Sequence, residues 1–156
     1  MIRGYFATIR TRRRPVVDAV LRFPTLGDRS VQARLLVDTG ADRTVLAPLD
    51  ATRLGRELGI DLAALPAGVP SRGVGGQWRT RTIEAVLTLD SMAMPLSLTI
   101  LAPPPGPLSP IPSRLGRDML SRFALFMEER TSRVLLLEPD EADALQLPSS
   151  PGSFSF

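Results

Sequence analysis

The chain has no cysteine, no histidine and no lysine. Without cysteine there are no disulfides, no thiolate nucleophile and no zinc–thiolate centre. Without histidine, His-based triads and most transition-metal sites fall away. All 19 basic residues are arginine, so lysine Schiff-base chemistry and a lysine-bearing phosphate loop are excluded as well. Acid–base chemistry is left mainly to carboxylates. Long apolar runs are also missing: none approaches the roughly 18 residues that span a bilayer, and the N-terminus has no signal-peptide core. The first seventeen residues are Arg-rich and acid-free in the manner of a transit peptide, but they contain no serine, and Tyr5-Phe6-Ala7-Thr8-Ile9 suits a strand. A cytoplasmic protein with no membrane partner is expected.

What remains is ordinary for a globular protein: 156 residues, 44% apolar and 22% charged. That length supports one domain with a real core and would cramp two. A net charge of +3 is small for the length and is read as a mixed solvated surface, with no nucleic-acid partner. Arg10, Arg12, Arg13 and Arg14 form one local basic cluster.

The stretch with most chemical content is Leu35-Leu36-Val37-Asp38-Thr39-Gly40-Ala41-Asp42-Arg43-Thr44-Val45-Leu46. Apolar residues enter and leave it, and between them stand a carboxylate, a hydroxyl neighbour and a glycine. The pattern places Asp38 at the end of a buried strand, where Gly40 lets the backbone turn without a Cβ penalty. An Asp-Thr-Gly tripeptide arises by chance in on the order of a few per cent of chains this long, so its weight rests on its flanks and on two later motifs.

Ile2 to Arg10 and Val16 to Phe23 read as strands. After turn chemistry at Thr25 to Ser30, Val31 to Val37 returns with Val31, Ala33 and Leu35 on one side, so a hairpin feeds Asp38. Asp50 is placed to cap a helix that runs to Leu58, with Gly59 just past its end. Arg72-Gly73-Val74-Gly75-Gly76-Gln77 puts three glycines in four positions, a turn whose backbone can approach a ligand closely. No helix pattern follows it, which argues against a phosphate loop. Thr80 to Leu89 and Met94 to Leu101 form the next hairpin, with Leu96, Leu98 and Ile100 on one face. Pro103 to Pro112 holds six prolines in ten residues and is expected as an exposed extended loop. Arg117 to Leu120 begins a short helix, and Phe123 to Glu128 with Val134 to Leu137 suggest a last hairpin. These elements make one domain over residues 1–139. Residues 140–156 turn acidic and then Pro/Ser-rich, a disordered tail, although Ser153-Phe154-Ser155-Phe156 alternates as an edge strand would.

Taken in order, Val37-Asp38-Thr39-Gly40-Ala41-Asp42 with Thr44-Val45-Leu46, then Gly73-Val74-Gly75-Gly76, then Leu115-Gly116-Arg117-Asp118-Met119-Leu120 resemble the retropepsins, the single-domain, retroviral-type aspartic proteases. The likeness is nearest to bacterial retropepsin-like proteins and to the retroviral-like domain of eukaryotic ubiquitin-shuttle proteins. The resemblance implies an all-β fold with one or two short helices: half of a pepsin-like closed β-barrel that acts as a homodimer. It implies Asp38, Thr39 and Gly40 as the catalytic loop, with Thr39 bonding across the dimer interface. Ala41 and Asp42, with the flap residues Gly73, Val74, Gly75 and Gly76, would bind substrate. Leu115-Gly116 would pass behind the catalytic loop, and Arg117 would form a buried structural ion pair with Asp42. No metal or cofactor is implied. Family members commonly carry an apolar strand directly before this glycine, whereas Ile111-Pro112-Ser113-Arg114 is broken by proline and charge, so that strand is expected to be weakened.

Peptide hydrolysis without a metal or a Ser or Cys nucleophile needs water held between an acid and a base. Two carboxylates a few ångströms apart supply both, because they share one proton. The chain has a single Asp-Thr-Gly, so the pair must be two copies of Asp38 across a two-fold axis. Substrates would be extended peptides, apolar at the cleavage point and bound partly through strand-like main-chain bonding, with an acidic to near-neutral optimum. Three other readings stay open: a non-catalytic pepsin-fold binding or dimerisation module, an Arg-mediated nucleic-acid binder with salt-dependent association, and a monomer inactive until paired.

Overall fold

Strand β2 (Arg12–Phe23) shows how the alternation of the sequence becomes a barrel. Val17, Ala19, Leu21 and Phe23 are buried and the residues between them are exposed, the period of an extended strand with one inward face. The computed structural model describes residues 1–73, 76–102 and 111–145. Along one edge of β2, strand β1 (Ile2–Ile9) pairs with its first half and β7 (Thr80–Leu89) with its second, while β3 (Arg29–Val37) takes the other edge from Val16 to Phe23. Beyond β3 lie, in order, β9 (Arg114–Leu115), β4 (Val45–Leu46), β8 (Met92–Leu101) and β7, which returns to β2. Six strands thereby close on themselves and leave no free edge in the ring. On the other side β1 leads out to β11 (Arg133–Leu137) and then to β10 (Ala124–Glu128).

The inward faces of the ring supply the core. Leu21, Leu35, Leu87, Leu89, Leu98 and Ile100 are all fully buried, each stabilising the fold by about 1.5–3 kcal/mol relative to exposure. Helix α1 (Pro48–Leu58) closes one side with Ala51, Leu54 and Leu58 buried, spaced at the turn of a helix. It ends as expected, with Gly59 in the left-handed region at φ 65° and its N–H on Arg56 O. Its start differs from the expectation. Pro48 occupies the first helical position after an extended Ala47, so Asp50 lies inside the first turn and caps nothing there. Proline suits that position because its missing N–H has no partner in any helix.

Strands also begin earlier than alternation indicated. β2 starts at Arg12, where the side chains are exposed or half-buried on both faces and carry no apolar period. β8 starts at Met92, the turn being only Asp90-Ser91, with Asp90 in the left-handed region at φ 53°. The strand before Gly116 is present but reduced to the two residues of β9. The glycine-rich hairpin has paired arms, β5 (Ser71–Gly73) and β6 (Gly76–Trp78), and its tip, Val74 and Gly75, lies outside the described residues. So do residues 103–110 of the Pro-rich loop and residues 146–156, with the alternating Ser153 to Phe156. Within the stretch expected to be disordered, α3 (Pro139–Asp143) forms a short helix, because Glu138 and Glu141 make a reciprocal capping box around its start. Among the described residues no helix is long and apolar enough to cross a membrane.

Candidate active site

Asp38 is the first residue beyond β3, and its backbone is tied before its side chain is considered. Asp38 N donates to Leu115 O at 3.1 Å, and Leu36 N to Ser113 O at 2.9 Å. The loop then folds on itself: Asp38 Oδ1 accepts from Gly40 N at 3.0 Å, and Asp38 O from Ala41 N at 3.2 Å. An aspartate that bonds the amide two residues on fixes its own rotamer. The carboxylate is left 27% exposed.

From Ala41 the loop runs beside the start of α2 (Arg117–Leu120). Arg117 N donates to Ala41 O at 2.8 Å and Asp118 N to Asp42 O at 3.2 Å. Gly116 makes this approach possible, since a Cβ there would sit 2.3 Å from the carbonyl carbon of Arg43. Thr44 locks the crossing. Fully buried, it donates its hydroxyl to Asp118 Oδ1 at 2.7 Å and its N–H to the same carboxylate at 2.9 and 3.0 Å, while Gly116 N donates to Thr44 Oγ1 at 3.1 Å. A second tie joins the segment before β9 to α1: Ser113 Oγ donates to Asp50 Oδ2 at 2.5 Å and accepts from Ala47 N at 2.9 Å.

Arg117 does reach Asp42, Nη2 to Oδ1, but the expectation of a buried pair is corrected. The two side chains are 63% and 78% exposed, which leaves them in water and limits such a pair to about 1 kcal/mol or less. The charged anchor of this crossing is instead Asp118, half-buried with its carboxylate on the buried Thr44.

Asp38 opens onto a cleft. Gly40, Ala41, Asp42 and Val45 form one wall, Val69, Pro70 and Ser71 at the base of the β5–β6 hairpin form another, and Thr99 and Arg114 complete it. Of the residues expected to meet a ligand, Ala41 and Asp42 line this cleft with Asp38 and Gly40. Thr39 is exposed beside it. Gly73 and Gly76 close the described arms of the hairpin, and Val74 and Gly75 fall outside the described residues. On its other side Asp38 borders a shallower depression edged by Arg12, Arg13 and Arg14.

Several cleft residues were not singled out from the sequence, among them Val69, Thr99 and Arg114. Val69, 68% exposed, lay in a stretch without periodicity. Thr99 sat in an apolar strand; its Oγ1 is buried and has no partner among the described residues. Arg114 has Nη1 3.6 Å from Asp38 Oδ2, its side chain 33% exposed. The signal for Arg114 was present as a charge where an apolar residue is usual, but it reads only as a break in a strand until the fold sets it beside Asp38. Among the described residues no three acidic side chains gather to hold a metal ion.

No protein-family model matches the sequence, and no curated protein matches it either. Solved structures do. A retropepsin-like aspartic protease from Rickettsia conorii superposes with a TM-score of 0.57 at 17% identity, over 87% of this chain and 99% of its own. EIAV protease in an inhibitor complex superposes with a TM-score of 0.50 at 23% identity, over 74% of this chain and 92% of its own. With these neighbours and the closed ring of strands, the chain has the retropepsin-like fold.

Proposed function

We propose that this protein is an aspartic endopeptidase that works as a homodimer, with one Asp38 from each subunit. The observation that carries the reading is the placement of Asp38: a fixed, partly exposed carboxylate at the end of β3 in a retropepsin-like barrel, facing a cleft whose far wall is the base of a hairpin. One such carboxylate cannot be both acid and base. Two related by a two-fold axis share a proton, so one deprotonates the attacking water and the other polarises the scissile carbonyl. Thr39, exposed next to the carboxylate, bonds to the opposite loop in that dimer. The β5–β6 hairpin, with Gly73, Val74, Gly75 and Gly76 at its turn, closes over an extended peptide bound beside Ala41 and Asp42 and cut beside an apolar side chain. We place the activity in the cytosol.

The test is cleavage of an unbiased peptide library between acidic and neutral pH by the wild type and by Asp38→Asn, each shown folded by circular dichroism and sized by sedimentation. Wild-type cleavage that falls by about 10²–10⁴-fold in the variant is the expected result. If neither protein cuts at concentrations where a dimer is present, the protease reading is wrong and the fold serves as a binding module.

A further inference from the structure

Arg114 is placed with unusual care for a charged side chain beside a carboxylate. It is one of the two residues of β9, which is held on both sides: Leu36 pairs with it in parallel from β3 and Val45 antiparallel from β4. Its neighbour Leu115 is fully buried. Successive strand residues face opposite ways, so burying Leu115 turns Arg114 outward into the cleft that Asp38 lines. A side chain held on a doubly paired strand is fixed as a loop residue is not, which is what a recognition group needs.

Its charge is not used up there. The 3.6 Å contact to Asp38 Oδ2 is long, and a guanidinium carries five N–H donors suited to a carboxylate's two oxygens. In the proposed dimer the two Asp38 carboxylates share one proton and so carry a single negative charge, while the two-fold axis brings one Arg114 to each side of them. The centre of the cleft is left with an excess of positive charge, and Arg43 adds to it on the same lining. Asp42, the other acid of the cleft, is already paired with Arg117.

We infer that Arg114 is a specificity-determining residue that receives an ionised Asp or Glu side chain flanking the scissile bond, so that the preferred substrates are acidic peptides and not ones apolar on both sides of the cut. This inference rests on the protease reading and narrows its substrate class. A fixed guanidinium answering a carboxylate should favour an acidic side chain over its amide by about ten- to a hundredfold.

The test uses matched peptides that differ only by Glu against Gln, or Asp against Asn, at each position beside the cut, assayed near neutral pH where the substrate carboxylate is ionised. Wild-type protein should show a kcat/KM ratio of about ten or more for acid over amide at one of the two flanking positions, and the ratio should shrink as salt is raised. Arg114→Met should bring the ratio to about one, and Arg114→Lys should keep part of it. Cleavage by the wild type with no acid preference at either position, or a preference unchanged in Arg114→Met, would overturn the inference while leaving the protease reading standing. Binding of the same peptides to the folded Asp38→Asn protein, followed by fluorescence anisotropy, separates the two ideas. Acid-selective binding lost in Asp38→Asn/Arg114→Met supports the Arg114 subsite even if no peptide is cut; equal binding of acid and amide counts against it.

Discussion

Removing the Asp118 carboxylate should destabilise the protein far more than removing the Arg117 guanidinium beside it. The carboxylate accepts from Thr44 N, from the Thr44 hydroxyl and from Met119 N, all within 2.7–3.0 Å. Thr44 is fully buried, so Asp118→Ala strands two donors that water cannot reach. Each unsatisfied buried donor costs about 1–3 kcal/mol. The Met119 N–H keeps a second acceptor, Gly116 O at 3.1 Å, and adds little. The expected loss is about 3–5 kcal/mol. Asp118→Asn retains Oδ1, on which three of these bonds converge, and should lose only about 1 kcal/mol through the missing charge. Arg117→Met dissolves an exposed pair and should cost about 1 kcal/mol or less. Urea unfolding followed by circular dichroism measures all three, at one fixed protein concentration because pairing of subunits would add to apparent stability. A loss for Arg117→Met equal to or greater than that for Asp118→Ala would refute the assignment of Asp118 as the anchor.

Thr99→Val replaces a buried hydroxyl that has no partner among the described residues, so it should be neutral or stabilise by about 1 kcal/mol. A drop of that size in urea melts would mean the hydroxyl is bonded. The single tyrosine, Tyr5, offers a pH test. Burial first, then its hydrogen bond to Asp18, raise its pKa above the ordinary value. Absorbance titration should give a midpoint above about 10 that moves down in Asp18→Asn. Because the folded state favours the neutral phenol, this contribution to stability is present below the unfolded pKa and is lost as pH rises through the folded one; a midpoint at or below that of a free tyrosine would contradict the geometry.

Much of this was readable in the chain because the determining signals were local. The approach to Asp38 declares itself through the alternation of Val31, Ala33 and Leu35, the end of α1 through Gly59, and the hairpin arms through glycine and period two. What stayed hidden depends on partners distant in sequence. Two residues cannot show a period, so β9 is legible only as a weakened strand until Leu36 and Val45 bracket it. The closure of β7 onto β2 leaves no mark in either strand. Arg117 and Asp42 were recognisable as partners, but their exposure depends on what does not pack over them. The weight that falls on Asp118 could not be read either, because its donors come from a loop more than seventy positions earlier. Arg114 is the same case for function: its charge was evident, and its meaning appears only beside Asp38.

The ring also has an order of assembly. Its hairpins, β2 with β3 and β7 with β8, join neighbours and can form as soon as they are made, whereas β9 must find β3 and β4 far back along the sequence, a slow search because the intervening loop has to be closed first. The backbone amide of Asp38 has its partner in Leu115, and the loop after it has its partners in Arg117 and Asp118. During synthesis the aspartate therefore emerges with its own loop amides but long before Leu115 and α2. A ribosome-bound chain carries an unassembled cleft until residues 114–120 are out, so the early hairpins form before the centre they will hold exists.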